Sequence, residues 1–416
     1  MTTNLFRRVV LLGALLSGLA TAAMAQDSGA LLNVLVRKGI LTDQEAEDIR
    51  AELTAESHAA LMSSISGGKS THSLAISGRL QVQYAGINTD AAGVDSTNEV
   101  FLRRVYFGAK AAVGAGWTAN LVYDFAGENF DKAYIEYAGL MGDQAFAVDL
   151  GVRKVNFGME EWTSSGSLDS IERSGTTRYF VEGNNGRRLG AGSYRVGAFF
   201  EGNPNARKQK TEGVYYGAAV TNPERSSGPG GASDGSNNSQ AYWADIGYSG
   251  FFGPESQSSY RVGAAVSLLS DQGGRNPTDG SDLTGFNLYG NLEHGVFKLA
   301  GEYLSATVDD GIAAGRDASP WGVWIQPSVM VTDKLELVGR YSFTNSDNRG
   351  IKVSDGVRSA PASLTGDNLT ELYLGLNYYI VGSDLKLQLG YVHGTAERGD
   401  LEESANGVRS QMQINF

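Results

Sequence analysis

The chain has 416 residues, 55 of them Gly, 8 Pro and none Cys, and a formal net charge of −12. Without Cys there are no disulfides, thiolate metal sites, Fe–S clusters or cysteine nucleophiles. The four His (His58, His72, His294, His393) are too scattered for an imidazole-built metal site, so no metal or other cofactor is expected. The acidic balance excludes a non-specific nucleic-acid binder, which needs a basic surface.

Arg7 and Arg8 precede an apolar run over 9–20, followed by Ala23-Met24-Ala25. That order predicts a secretory signal peptide over 1–25 and a mature start at Gln26. Its removal takes away two bases and no acids, lowering the charge from −12 to −14. No later segment offers the ~20 continuous apolar residues of a membrane helix. A soluble exported protein and a membrane barrel both remain open.

Residues 30–61 read as two short helices. Leu31, Leu32, Leu35 and Val36 form one apolar stripe, broken by Gly39. Thr42 and Glu45 make a capping box for the second, which carries Ala46, Ile49 and Leu53. Such small helices cannot bury a core alone. Residues 26–73 are therefore expected to be a periplasmic helical segment that self-associates or lies on a partner, ending in a linker over 63–73.

From residue 74 the apolar period is two. Ile76, Leu80, Val82 and Tyr84 face opposite Ser77, Arg79, Gln81 and Gln83. At the other end Val408, Met412, Ile414 and Phe416 oppose Arg409, Gln411, Gln413 and Asn415. This is the pattern of strands with one apolar and one wet face. Sixteen strands are predicted, starting near 74, 99, 116, 132, 145, 193, 211, 240, 259, 283, 296, 321, 334, 369, 384 and 408. Their connections alternate between mostly short and mostly long, the long ones including 154–192, 344–368 and 394–407.

The expected fold is all-β: a 16-stranded antiparallel transmembrane β-barrel over 74–416, preceded by the helical segment. Lipid leaves no water to satisfy a sheet edge, so the last strand must meet the first. Tyr84, Trp117, Tyr137, Tyr248, Tyr260, Trp321, Tyr341 and Tyr378 fall near strand ends, as an interfacial girdle requires. The competing arrangement, a soluble Gly-rich β-sandwich or β-solenoid, would need a dry core, yet the second faces are rich in Gly, Tyr and Gln.

A barrel of this size is too wide for side chains to fill and should hold water. No nucleophile or carboxylate pair can be assembled from the strands, so passage of small polar solutes is expected rather than catalysis. The 154–192 connection is too long for a turn and should fold into the lumen or cap it. In and beside it lie Arg153, Lys154, Arg173, Arg178, Arg187, Arg188 and Arg195, against Glu160, Glu161, Asp169, Glu172 and Glu182. Either the guanidiniums line a constriction and contact anions bidentately, or they pair with these acids and hold the loop. Arg79, Arg261, Lys298, Arg340 and Lys386 point inward, as do Asp124, Glu136, Asp149, Asp245, Glu302, Glu336 and Glu371.

Certain segments resemble the phosphate-selective porin O/P family of Gram-negative outer membranes. They are Glu99-Val-Phe-Leu-Arg-Arg-Val-Tyr-Phe-Gly108, Trp117-Thr-Ala-Asn-Leu-Val-Tyr-Asp-Phe125 and Lys132-Ala-Tyr-Ile-Glu-Tyr137. Val152-Arg-Lys-Val-Asn-Phe-Gly158, Ser170-Ile-Glu-Arg-Ser174, Arg187-Arg188-Leu189-Gly190 and Leu372-Tyr-Leu-Gly-Leu-Asn-Tyr-Tyr379 follow in the same order. Terminal Phe416 resembles the outer-membrane assembly signal, and Leu31–Leu53 the family's periplasmic extension. The resemblance implies a homotrimer of barrels in outer-membrane lipid, inserted by the assembly machinery, with the third long loop folded into each pore. It implies passive flow of small ions, phosphate among them. This chain departs from the family's arginine ladder by interspersing acids among its interior bases. A general or cation-preferring porin is the alternative that the −14 charge favours, and a plugged barrel tethering the outer membrane through 26–62 is another.

Overall fold

The computed structural model describes residues 73–140, 146–183, 187–223, 239–253, 258–270 and 282–416. The expected signal peptide and the two N-terminal helices lie outside these residues.

The strands are β1 (Ser73–Thr89), β2 (Thr97–Gly114), β3 (Trp117–Asp124), β4 (Asn129–Leu140), β5 (Phe146–Lys154) and β6 (Tyr194–Gly202). Then come β7 (Gly213–Thr221), β8 (Ala241–Phe252), β9 (Ser258–Leu269), β10 (Leu283–His294), β11 (Phe297–Ala313) and β12 (Arg316–Ala318). The last are β13 (Trp321–Met330), β14 (Leu335–Asn345), β15 (Asn368–Val381), β16 (Leu385–Arg398) and β17 (Leu401–Asn415). They form a single sheet, and β17 returns to pair antiparallel with β1 from Arg79↔Asn415 to Thr89↔Ala405.

β12 and β13 both pair with β11 and share one place in the ring, so the barrel has sixteen positions. Between them lies Pro320, which has no N–H for the ladder, while its carbonyl still accepts from Ala306 N at 3.0 Å.

Sequence alternation becomes a lipid face and a wet face. On β17 Val408, Met412 and Ile414 stay exposed on the outside while Arg409, Gln411 and Gln413 are buried inside. The closing seam carries a chain of amides. Gln81 Nε2 donates to Gln413 at 2.6 Å, Gln83 to Gln411 at 2.8 Å, and Gln411 to Gln388 at 2.8 Å. Phe416 ends the seam: Gly78 N donates to its carbonyl at 2.7 Å and its own N–H returns to Gly78 O at 3.1 Å.

Strand starts agree with the sequence pattern except the last, expected near 408 and found at Leu401. The 394–407 connection is not long: β16 and β17 run on and meet at Gly399-Asp400, where Gly399 has φ 58°. Past the lipid both faces meet water. Glu397, Arg398, Leu401 and Glu402 therefore continue the ladder without an apolar face to betray it.

Two long connections turn inward on the same rim. Residues 155–193 contain α1 (Met159–Trp162) and α2 (Gly175–Val181), and residues 346–367 contain α4 (Val353–Gly356). Between them in sequence, α3 (Pro204–Arg207) lies in the 203–212 turn of the opposite rim.

Candidate functional site

Helix N-termini leave backbone N–H groups unpaired and attract negative charge. The wall supplies that charge. Glu302 on β11 accepts the N–H groups of Met159 and Glu160, the latter at 3.0 Å, together with Trp324 Nε1 at 2.9 Å and Asn287 Nδ2 at 3.1 Å. Glu371 on β15 accepts Gly175 N at 2.8 Å, the start of α2. A Cβ on Gly175 would stand 2.9 Å from Gly356 Cα, so only glycine allows α2 this close to α4.

Arg340 on β14 ties these anchors together, with one nitrogen 2.9 Å from Glu160 and another 2.7 Å from Glu371. Downstream, Lys386 donates to Leu168 O at 2.7 Å, Asn377 to Asp169 O at 2.7 Å and Gln413 to Gly166 O at 2.9 Å. The mooring points thus lie mainly on β10, β11 and β13–β17.

The second inward loop clasps the first. Asp355 is fully buried and pairs with Arg188 at 2.8 Å and Arg187 at 3.6 Å. Arg178 donates to Ser354 O and Gly356 O, both at 3.1 Å. Arg358 bridges Glu172 at 2.9 Å and Glu182 at 2.5 Å. Burial works to raise both carboxyls, but the guanidiniums outweigh it. Arg103 and Arg358 hold Glu172 well below the usual carboxylate range, and Arg358, Arg178 and Arg188 do the same for Glu182.

The other half of the barrel stays open. A cavity of about 900 Å³ reaches from Arg188 and Arg358 in the long loops to Arg207 and Lys208 in the short-turn rim. Twelve basic and seven acidic residues line it, a surplus of positive charge inside an acidic protein. Seven of the bases have carboxylate partners. Examples are Arg153 with Glu201 at 2.8 Å and with Asp149, Lys154 and Arg173 each with Glu161 at 2.9 Å, and Arg207 with Asp245 at 2.5 Å. Among the described residues, Arg79, Arg104, Lys132, Lys208 and Arg261 line the cavity without a carboxylate within 4.0 Å. Arg79 donates instead to Ser165 Oγ at 2.8 Å, Ser164 Oγ at 3.0 Å and Asn415 Oδ1 at 2.7 Å.

The expected residues divide between these two halves. Arg153, Lys154, Arg173, Arg188, Arg79 and Arg261 line the cavity. Arg178, Arg187, Arg340 and Lys386 serve the mooring described above. Arg195 donates to the carbonyls of Gly192 and Tyr194 at 2.7 and 2.9 Å and stacks on Trp243. Lys298 lies in a separate recess of about 370 Å³, paired with Glu336 at 3.0 Å and Asp169 at 3.5 Å.

Arg103, Arg104, Lys132, Arg207 and Arg358 are lining residues that the strand pattern did not single out. In the β1–β2 ladder Gln81 faces Arg104 and Val82 faces Leu102, so Arg103 is an extra residue in a bulge. The bulge turns both guanidiniums inward, where strict alternation would send one to lipid. The Arg-Arg doublet inside an otherwise alternating strand was the available signal.

The sequence matches the family model for phosphate-selective porin O and P over residues 74–416. No curated protein matches it significantly. Among solved structures, the anion-selective porin from Comamonas acidovorans is 15% identical, covering 82% of this chain and 99% of that one, with a TM-score of 0.55. The outer membrane channel DcaP of Acinetobacter baumannii is 11% identical over 85% and 99%, with a TM-score of 0.54. The trimer form of OmpT from Vibrio cholerae is 14% identical over 82% and 98%, with a TM-score of 0.50. At these identities the likeness concerns the fold.

Proposed function

Because the chain belongs to the phosphate-selective porin O and P family, we propose that its open half-lumen conducts small anions, phosphate among them, in preference to cations. The protein is a porin of the Gram-negative outer membrane that passes small hydrophilic solutes and ions passively. It is a channel and not an enzyme. The observation that carries the anion preference is the set of cavity bases without carboxylate partners, Arg79, Arg104, Lys132, Lys208 and Arg261. A guanidinium held by hydroxyls or amides keeps its whole charge for the lumen, whereas one paired to a carboxylate is largely neutralised and offers mainly its remaining N–H donors.

The test is the reversal potential of single channels in a planar bilayer under a KCl gradient, followed by titration with phosphate. Anion selectivity with phosphate block supports the reading. Cation selectivity overturns it in favour of a general porin, and a channel without conductance would make the barrel a tether.

The assembly proposed is a homotrimer, as in the trimer form of Vibrio cholerae OmpT. Chemical crosslinking in detergent should yield a three-chain species. Phe416 is proposed as the assembly signal, and its deletion should leave the chain outside the membrane. Residues 1–25 are proposed as the export signal and 26–73 as a periplasmic helical segment.

A further inference from the structure

We infer that the cavity contains a distinct subsite for the carboxylate of a small aromatic acid, built from Trp162, Arg207 and Arg261. It deepens the anion reading above and rests on it. These three come from separate places: the constriction loop, the 203–212 turn and β9. All three line the same cavity.

Arg261 joins them. Its guanidinium lies 4.7 Å from the centre of the Trp162 ring, and its Nη1 donates to Arg207 O at 2.8 Å. Its Nε is held by Asn291 Oδ1 at 2.9 Å, which fixes the plane of the group. Among the described residues, no acceptor meets its Nη2.

The neighbours are also short of acceptors. Arg207 is only 4% exposed, spends Nη1 on Asp245 and holds Nε 3.6 Å from Glu201 Oε1, which leaves its Nη2 without a partner. Trp162 Nε1 is buried and likewise without a partner. Buried donors left unpaired carry a desolvation cost that an arriving acceptor would relieve. Gly217 makes room for this arrangement: a Cβ there would stand 3.1 Å from Arg207 Nη2 and 2.5 Å from Asp245 Oδ1.

The donors select an oxyanion, and their surroundings select its body. Tyr134 and Tyr194 line the cavity, while Tyr289, edge-on to Trp162 at 5.9 Å, and Tyr215, under Arg207 at 4.8 Å, are buried behind those two residues. Guanidinium planes and ring faces stack favourably on a planar apolar group. Inorganic phosphate would use the donors alone. A benzoate-like anion uses both the donors and the faces.

The test is block of chloride current through the full-length channel in a planar bilayer, by sodium benzoate and separately by inorganic phosphate. Benzoate should block at the lower concentration. Trp162→Gln keeps an N–H donor and removes the aromatic face, and should raise the half-blocking benzoate concentration roughly threefold. Arg261→Gln should raise it roughly tenfold. Trp162→Gln should leave phosphate block within about twofold of the parent, because phosphate uses the donors alone. A heat-modifiable folded band on a semi-native gel establishes that each variant has folded. Phosphate block without benzoate block, or benzoate block indifferent to Trp162→Gln, overturns the subsite while the anion reading stands. A cation-selective pore blocked by neither anion overturns both.

Discussion

Arg104 donates to the amide oxygen of Gln81 at 2.7 Å, and that uncharged partner leaves its whole positive charge to the lumen. Its neighbour Arg103 is spent on the Glu172 carboxylate at 2.6 Å. Two adjacent arginines in one strand thus have different uses, and substitution should separate them.

Neutralising Arg79, Arg104 or Lys132 one at a time, each to Gln, should lower the anion-to-cation permeability ratio without unfolding the barrel. A unit charge at 4 Å in water is worth about 1 kcal/mol, so each change should reach at most about fivefold. Reversal potentials under a salt gradient measure this directly. A triple variant with parental selectivity would remove these residues from the permeation path.

Arg340→Met should act on stability and leave selectivity alone. The change strands the buried carboxylates of Glu160 and Glu371. Removing one member of a buried ion pair costs about 3–5 kcal/mol. The temperature at which the folded band is lost on a semi-native gel should fall clearly, while any channels that do insert keep the parental reversal potential.

Glu302→Gln should loosen α1. The amide retains one acceptor oxygen where the carboxylate offered two, and four donors now converge there from Met159, Glu160, Trp324 and Asn287. Losing one such bond costs about 1–3 kcal/mol when the donor stays buried. Faster open-channel current noise is the expected readout. Steady current indistinguishable from the parent would show that the wall carboxylate is not a mooring point.

The clasp between the two inward loops should resist acid. Carboxyls of unfolded chains titrate near about 4.3, and Glu172 and Glu182 are held lower in the fold. Their contribution is therefore complete above the unfolded value and is lost only as the pH falls through the lower folded one. Channels at pH about 4.5 should remain as steady as at neutral pH. Arg358→Gln removes the charge that does most to hold Glu182 down, so that variant should begin to flicker on acidification. Equal acid sensitivity in parent and variant would contradict this account.

Much of the architecture was legible because lipid enforces alternation. Leu372, Leu374 and Leu376 had to share a face, and the strand through them could be read directly. The Gly399-Asp400 turn could not, since above the lipid nothing compels Glu397 or Glu402 to differ from their neighbours. The site was less legible for a related reason. Whether an inward base is free or spent depends on what the long loops bring to it, as Glu161 does for Lys154 and Arg173. Arg103 and Arg104 were hidden by a one-residue bulge, and Arg358 by the inward course of a loop whose length alone did not reveal it.

The loops are moored mainly to β10, β11 and β13–β17, whereas the unpaired bases of the cavity wall stand on β1, β2, β4 and β9. Contacts from β1 and β2 to the loop run through Arg79 to Ser164 and Ser165, Gln81 to Ser165 O, and Gln83 and Arg103 to Glu172. Changes at wall bases that touch no loop residue, such as Arg104 and Lys132, can therefore alter which solutes the channel admits without releasing the segments that leave its bore clear.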